Sequence, residues 1–270
     1  MVVSDDALPV LESAGLTDFN AMMAYAGGER ICHKRGRSTV RLQVGERAFY
    51  LKRNRFHLVE FLKGLSRLRL PVRGALREWR NIERVRRVGV PTVKPVAFGE
   101  RPVLGIETCS FTMTEELYGC IPLDKVLASG FSGIPGEPQC ARKRRLIRQL
   151  GELASKLHGH GLFHQDFYLS HFFLDPHDGL HLIDLQRVLY RPLRARHFRI
   201  KDLAQLNYSA GRVACLSRTD RWRFLRAYLG DSGRSPRDKA LIRAIMAKTA
   251  RIARHDVKLH ARRRRRGELP

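Results

Sequence analysis

At 270 residues and 43% hydrophobic content, the chain can bury the core of one large domain or of two lobes. No apolar run reaches the ~18–20 residues of a membrane span, and the first residues lack the basic start and apolar core of a signal peptide. The five widely spaced cysteines form no C-x-x-C pair, so neither a disulfide framework nor a zinc knuckle is suggested and a reducing cytoplasm is the simplest compartment. The formal net charge of +25 points to polyanionic partners: nucleic acid, an acidic membrane face or a phosphorylated glycolipid.

In chain order, three strands are expected first. Ile31 to Lys34 and Thr39 to Val44 flank a turn, Arg35-Gly36-Arg37-Ser38, and Ala48 to Lys52 follows the turn Gly45-Glu46. Residues 56–70 form a basic stretch in which Leu58, Phe61, Leu62, Leu65 and Leu68 recur at helical spacing before Pro71 stops it. A helix from about residue 73 to 88 carries Glu78 and ends at Gly89-Val90-Pro91. Two further strands are expected near residues 93–98 and 110–114. A Gly/Pro-rich loop at 129–138 then leads into a helix over residues 140–158 with Leu146, Leu150, Leu153 and Leu157 on one face. Residues 162–187 read as loop and short strand, and the rest is mainly helical, ending in five arginines at 262–266. Strands first and helices after give an α+β fold with two lobes, residues 1–117 and 118–270.

The chemistry concentrates in the loop-rich stretch. His164-Gln165-Asp166 is followed five residues later by His171. Asp184 comes eighteen residues after Asp166, at the end of the apolar run Leu180-His181-Leu182-Ile183. Phosphoryl transfer calls for that order: one carboxylate to orient an acceptor hydroxyl and take its proton, then ligands for magnesium. Asp166 is the candidate catalytic group, and His171 and Asp184 are the candidate metal ligands. Taken singly, each has a plainer reading, as a capping Asp, a packed His and a strand-end turn. Lys52 on the third strand and Glu78 on the following helix are candidates for an ion pair aimed at nucleotide phosphates. Arg35, Gly36, Arg37 and Ser38 could cover a triphosphate through backbone N–H groups, although a plain hairpin explains them too.

Together these residues resemble the lipopolysaccharide kinase family, the Kdo and core-heptose kinases. The resemblance runs over roughly residues 30–260. It is carried by Lys34-Arg35-Gly36-Arg37-Ser38-Thr39, Phe49-Tyr50-Leu51-Lys52, Arg77-Glu78-Trp79 and Thr114-Glu115-Glu116-Leu117. It continues through His164-Gln165-Asp166-Phe167-Tyr168-Leu169-Ser170-His171-Phe172, Leu182-Ile183-Asp184-Leu185-Gln186-Arg187 and Lys201-Asp202-Leu203-Ala204. The resemblance implies a fold similar to eukaryotic-type protein kinases, with ATP and magnesium as cofactors. It makes Thr114 to Leu117 a hinge whose backbone meets adenine, so Glu115 and Leu117 join the nucleotide-binding set, and it makes Asp202 a brace under the catalytic loop. Gln165 stands where the family usually has Arg, and no A-P-E follows Asp184, so control by phosphorylation of an activation segment is not expected.

The expected activity is transfer of the γ-phosphoryl of ATP to a sugar hydroxyl, a heptose before a Kdo, on a lipopolysaccharide core precursor. The work would be done in the cytoplasm, against the inner face of the inner membrane. Residues 56–70 and the arginines at 262–266 are the candidate contacts to that anionic surface. Rival readings are a small-molecule kinase of the aminoglycoside or choline type, a pseudokinase scaffold and a basic nucleic-acid-binding protein. The first fits a cationic substrate poorly at this charge. The second is opposed by the presence of Lys52, Asp166 and Asp184. The third lacks a helix-turn-helix, zinc or stacking motif, so no specific nucleic acid is expected.

Overall fold

A computed structural model describes residues 1–34, 36–55, 74–103, 106–131, 136–230 and 235–266. The chain divides into two compact units, Met1–Arg87 with Thr92–Tyr118, and Val88–Pro91 with Gly119–Pro270.

The first unit is built on a six-stranded antiparallel sheet of β1 (Val2–Val3), β2 (Glu29–Lys34), β3 (Arg37–Val44), β4 (Arg47–Arg55), β5 (Pro95–Val103) and β6 (Ile106–Glu115), in the order β1-β5-β6-β4-β3-β2. Strand alternation sends Phe49 and Leu51 of β4, with Phe111 and Met113 of β6, to one face. There they bury against Leu11 and Met22 from two short helices, α1 (Leu8–Ser13) and α2 (Phe19–Ala24). A fully buried side chain of this size contributes about 1.5–3 kcal/mol, so this layer fixes the strand register. Tyr50 and Lys52 necessarily face the other way. On that side lies α3 (Gly74–Arg87), whose Ala75, Trp79, Ile82 and Val85 are buried and whose Trp79 ring packs on Phe98.

Two expectations shift here. The third strand runs on to Arg55, so Lys52 is interior to it and does not end it. The expected four-residue turn is a tighter hairpin: Lys34 pairs with Arg37, Gly36 takes φ 75°, and Arg37 and Ser38 already belong to β3. Residues 56–70 and Arg35 lie outside the described residues.

The second unit is mainly helical: α4 (Leu123–Gly130), α5 (Glu137–Gly159), α6 (Ala195–Ala210), α7 (Arg218–Leu229) and α8 (Pro236–Arg265). The leucines expected on one face of the long helix, Leu146, Leu150, Leu153 and Leu157, are all buried. Gly151 lets α7 approach α5, since a Cβ there would meet Ala227 Cβ and the Phe224 carbonyl at 2.7 Å. Five short strands complete the unit. β7 (Ile121–Pro122), β9 (Phe172–Leu174) and β10 (Leu180–Leu182) pair in the order β10-β9-β7, and β8 (Leu162–Phe163) pairs with β11 (Leu189–Tyr190). The five arginines at 262–266 are not a loose tail: four of them continue α8 to Arg265. Cations there favour the negative end of the helix dipole. Among the described residues, no helix is long and apolar enough to cross a membrane.

Candidate active site

In the first unit, Lys52 Nζ donates to Glu78 Oε1 at 2.7 Å. Glu78 is buried on α3, whereas the lysine is one-third exposed, so the pair presents its cation from a fixed carboxylate. Glu115 and Glu116 do not meet each other's partners. Arg47 makes a two-nitrogen bond to Glu115 at 2.8 and 2.9 Å, and Arg41 does the same to Glu116 at 2.8 and 2.6 Å. The arginine beside each glutamate holds its carboxyl below the usual carboxylate range. The side chain of Glu115 is thus a structural brace, and any nucleotide contact there is left to its backbone. Leu117 is half-buried just after β6, and Ser38 Oγ accepts from Arg53 Nε at 3.2 Å.

In the second unit the loop between β8 and β9 carries Asp166 and His171, and the turn after β10 carries Asp184. Two hydrogen-bonded connections tie loop to turn. His164 Nε2 lies 2.9 Å from the Ile183 carbonyl, and the Ile183 N–H donates to the His171 carbonyl at 2.9 Å. Burial pushes the His164 imidazole down in pKa, so it is neutral. Its proton sits on Nε2, because Nδ1 accepts the Asp166 N–H at 3.3 Å. His171 has the opposite tautomer. Its Nδ1 donates to the Asp166 carbonyl at 2.6 Å, which leaves the Nε2 lone pair facing outward, 4.0 Å from Asp184 Oδ2.

Backbone strain brackets the site. Gln165 (φ 74°) and Asp184 (φ 59°, ψ 57°) both lie in the left-handed region that non-glycine residues avoid. Such positions cost about 1–3 kcal/mol each and persist only where neighbours enforce them. The enforcement at Gln165 is visible. Asp202 on α6, wholly buried, accepts the His164 N–H at 2.6 Å and the Gln165 N–H at 3.0 Å. Gln205 accepts the Phe167 N–H at 3.1 Å and donates to the Gln165 carbonyl at 2.9 Å. Ser209 Oγ accepts the Leu169 N–H at 3.1 Å. One helix face thus satisfies four loop donors, those of His164, Gln165, Phe167 and Leu169, that burial would otherwise orphan.

Asp166 is held by Arg187, whose Nη1 donates to both carboxylate oxygens at 2.8 Å. Asp166, His171 and Asp184 are therefore brought together within this unit. His171 and Asp184 fit a magnesium ion as a partial ligand pair, an imidazole nitrogen and a carboxylate, both accessible. Among the described residues no cluster of three or more ligating side chains exists.

A family model described as the lipopolysaccharide kinase (Kdo/WaaP) family matches residues 28–228. The chain belongs to the lipopolysaccharide kinase family. It is 35% identical over 221 residues to the lipopolysaccharide core heptose(I) kinase WaaP of Escherichia coli K12, covering 79% of this chain and 82% of that one. Its identity to the Pseudomonas aeruginosa protein of the same name is 35% over 243 residues, 87% of each. A solved structure described as WaaP in complex with acyl carrier protein superposes with a TM-score of 0.72 at 29% identity, covering 93% of this chain and 98% of that chain. The family and the α+β, kinase-like fold expected from the sequence are both borne out.

Four residues of this lipopolysaccharide kinase have site contacts without having been singled out as site residues: Arg187, Lys201, Gln205 and Ser209. Lys201 Nζ donates to Gln165 Oε1 at 2.7 Å, and burial pushes its pKa down. So the position where the family usually has Arg is served here by an amide with a lysine behind it. The signals were modest. Arg187 stands three residues after Asp184, where a 3-10 turn brings it back. Asp202, Gln205 and Ser209 form a polar stripe at helical spacing among buried leucines.

Proposed function

We propose that this kinase transfers the γ-phosphoryl group of ATP to a heptose hydroxyl of a lipopolysaccharide core precursor. The observation that carries the reading is the arrangement around Asp166: a carboxylate 22% exposed on a strained loop braced from a buried helix face, cross-linked through His164 to the residue preceding Asp184. Family membership implies ATP as donor, and the heptose assignment leans on the names of the relatives. Asp166 is assigned to accept a hydrogen bond from the acceptor hydroxyl and take its proton as the new bond forms. Arg187 fixes the rotamer of that carboxylate. Among the described residues its Nε and Nη2 have no hydrogen-bond partner, so they can meet an anionic group of the acceptor. Lys52, held by Glu78, is assigned to the donor phosphates, with Gly36, Ser38 and the backbone of Glu115 and Leu117 as nucleotide contacts. Arg37 on β3 completes that set, and Arg35 is assigned to it from its place in the sequence. His171 and Asp184 would hold magnesium, which when bound neutralises phosphate charge. The protein's contribution is positioning and charge stabilisation, not a covalent intermediate.

The acceptor is a membrane glycolipid, so we place the protein at the cytoplasmic face of the inner membrane, on an anionic surface. An acyl carrier protein, named in the complex of the solved relative, is proposed as a second partner. One feature favours it: an apolar cavity of about 280 Å³ in the second unit, lined among others by Leu127, Leu146, Leu150, Leu206, Leu225 and Ile245. Such a lining suits an acyl chain. ATP consumption by the purified chain, with core oligosaccharide lacking heptose phosphate as acceptor, tests the function. Formation of phosphoheptose supports it. Turnover with aminoglycosides instead, or none with any core sugar while nucleotide binds, overturns it.

A further inference from the structure

Between Asp184 and Asp202 the chain has six Lys or Arg residues, Arg187, Arg191, Arg194, Arg196, Arg199 and Lys201, and no acidic residue. In the middle, Pro192–Arg194 forms a 3-10 turn whose tip is Leu193, which is 100% exposed. Tyr190 beside it is 55% exposed, and Arg191, Arg194 and Arg196 are exposed around it. The turn is rigidly displayed. β11 pairs with β8 (Leu189 with Phe163, Tyr190 with Leu162), the Arg191 N–H donates to the Gly161 carbonyl at 2.9 Å, and the Arg194 N–H donates to the Arg191 carbonyl at 3.2 Å. Gly161, at φ 70°, is needed for this fit: a Cβ there would press on Tyr190 and Pro192 at 3.3–3.4 Å.

A leucine held wholly in water at the apex of a braced turn has no role in folding. An apolar tip ringed by arginines matches the boundary of an anionic bilayer, where the tip enters the acyl region and the guanidinium groups stay among phosphates. The turn is tied to both catalytic segments: β11, which leads into it, follows Asp184 through Arg187, and β8, the partner strand of β11, runs into His164-Gln165-Asp166. We infer that the turn at residues 190–194 is a bilayer-inserting wedge that seats Asp166 and Asp184 against the anionic membrane surface holding the acceptor. The inference rests on the proposed glycolipid acceptor, but the contact can be measured without it.

The test uses the full chain and vesicles of phosphatidylcholine, alone or mixed with phosphatidylglycerol. Leu193→Asp and Leu193→Ser should each weaken binding to the mixed vesicles about tenfold or more. Arg191→Gln with Arg194→Gln should weaken it roughly fivefold per arginine removed, and added salt should mimic this loss. In Leu193→Trp, the new indole emission should shift to the blue on mixed vesicles and be quenched by brominated acyl chains. Kinase turnover separates the two readings. Leu193→Asp should keep wild-type turnover on soluble deacylated core oligosaccharide while losing it on vesicle-embedded acceptor. If wild type phosphorylates neither acceptor, the functional proposal fails, and vesicle binding alone still decides the wedge. Unchanged vesicle binding by both Leu193 variants and the double Arg variant would overturn the wedge. So would a Leu193→Asp variant that loses acyl carrier protein binding while keeping the membrane, since the turn would then be a protein-docking site.

Discussion

Asp202→Asn tests the brace under the catalytic loop. The native carboxylate is 0% exposed and offers one oxygen each to the N–H groups of His164 and Gln165, at 2.6 and 3.0 Å. Charge-assisted bonds of this kind contribute about 1.5–3 kcal/mol each. Asparagine keeps one weaker acceptor and turns an NH2 toward the other donor, which leaves a buried N–H unpaired. The lost bond and the orphaned donor together cost about 3 kcal/mol. That is within the stability of a folded domain, roughly 5–15 kcal/mol, so the variant should fold. At about 2–4 °C per kcal/mol for a chain of this order of size, Tm should fall by about 6–12 °C. The local consequence is larger than the global one. Gln165 is held in the left-handed region by these bonds, and it directly precedes Asp166. Once released, the loop should relax and displace the carboxylate. A misplacement of about 1 Å costs on the order of 10² in rate. Thermal denaturation gives Tm. Steady-state turnover, measured well below the lowered Tm with nucleotide affinity in parallel, gives kcat. Native Tm within about 2 °C would refute the brace as a stabilising contact. A lowered Tm with unchanged kcat would refute its role in placing Asp166.

Four further outcomes are expected. Asp166→Ala should leave folding and nucleotide affinity near wild type and lower kcat by roughly 10²–10⁴, and Arg187→Ala should lower kcat by a smaller factor with a partial return in Arg187→Lys; wild-type kcat in Asp166→Ala removes it from the site. Asp184→Asn should raise the magnesium concentration needed for half-maximal turnover, and a titration that overlays on wild type would count against it. Lys52→Ala and Glu78→Ala should each impair turnover, with the double variant costing less than the sum; strict additivity would mean they do not act as a unit. The carboxyls of Glu115, Glu116 and Asp178 are held low by Arg47, Arg41 and Arg142, so each adds stability above its ordinary range that is lost as pH falls through the native value. Tm should therefore hold from neutral pH to about pH 5 and drop below it, and Glu116→Gln should flatten that acid limb; an unaltered limb would contradict the assignment.

The sequence by itself determined the element types and the chemical inventory. Period-two alternation in β3 and β4 and the leucine period of α5 are local patterns, so the residues to be buried were readable from spacing alone. The order His164-Gln165-Asp166, His171, Asp184 was readable for the same reason: a short loop and a strand of fixed length separate the groups. Two short helices in residues 8–24 and α4 escaped that reading, because segments of six to eight residues offer too few turns for a period to emerge. What only the tertiary structure decided was which polar groups would meet. Its place three residues after Asp184 is all that marks Arg187 among the neighbouring arginines; it finds Asp166 because Ile183 and His171 are hydrogen-bonded and a 3-10 turn returns the chain. Glu115, expected at a nucleotide, is claimed by Arg47 across adjoining strands. His164 became a cross-link, not a proton carrier, because burial made it neutral and its two nitrogens found a carbonyl and an N–H from residues seventeen apart, Ile183 and Asp166. Spacing along the chain sets which groups are available, whereas desolvation makes each buried donor and acceptor find a partner, and that partner is chosen by packing.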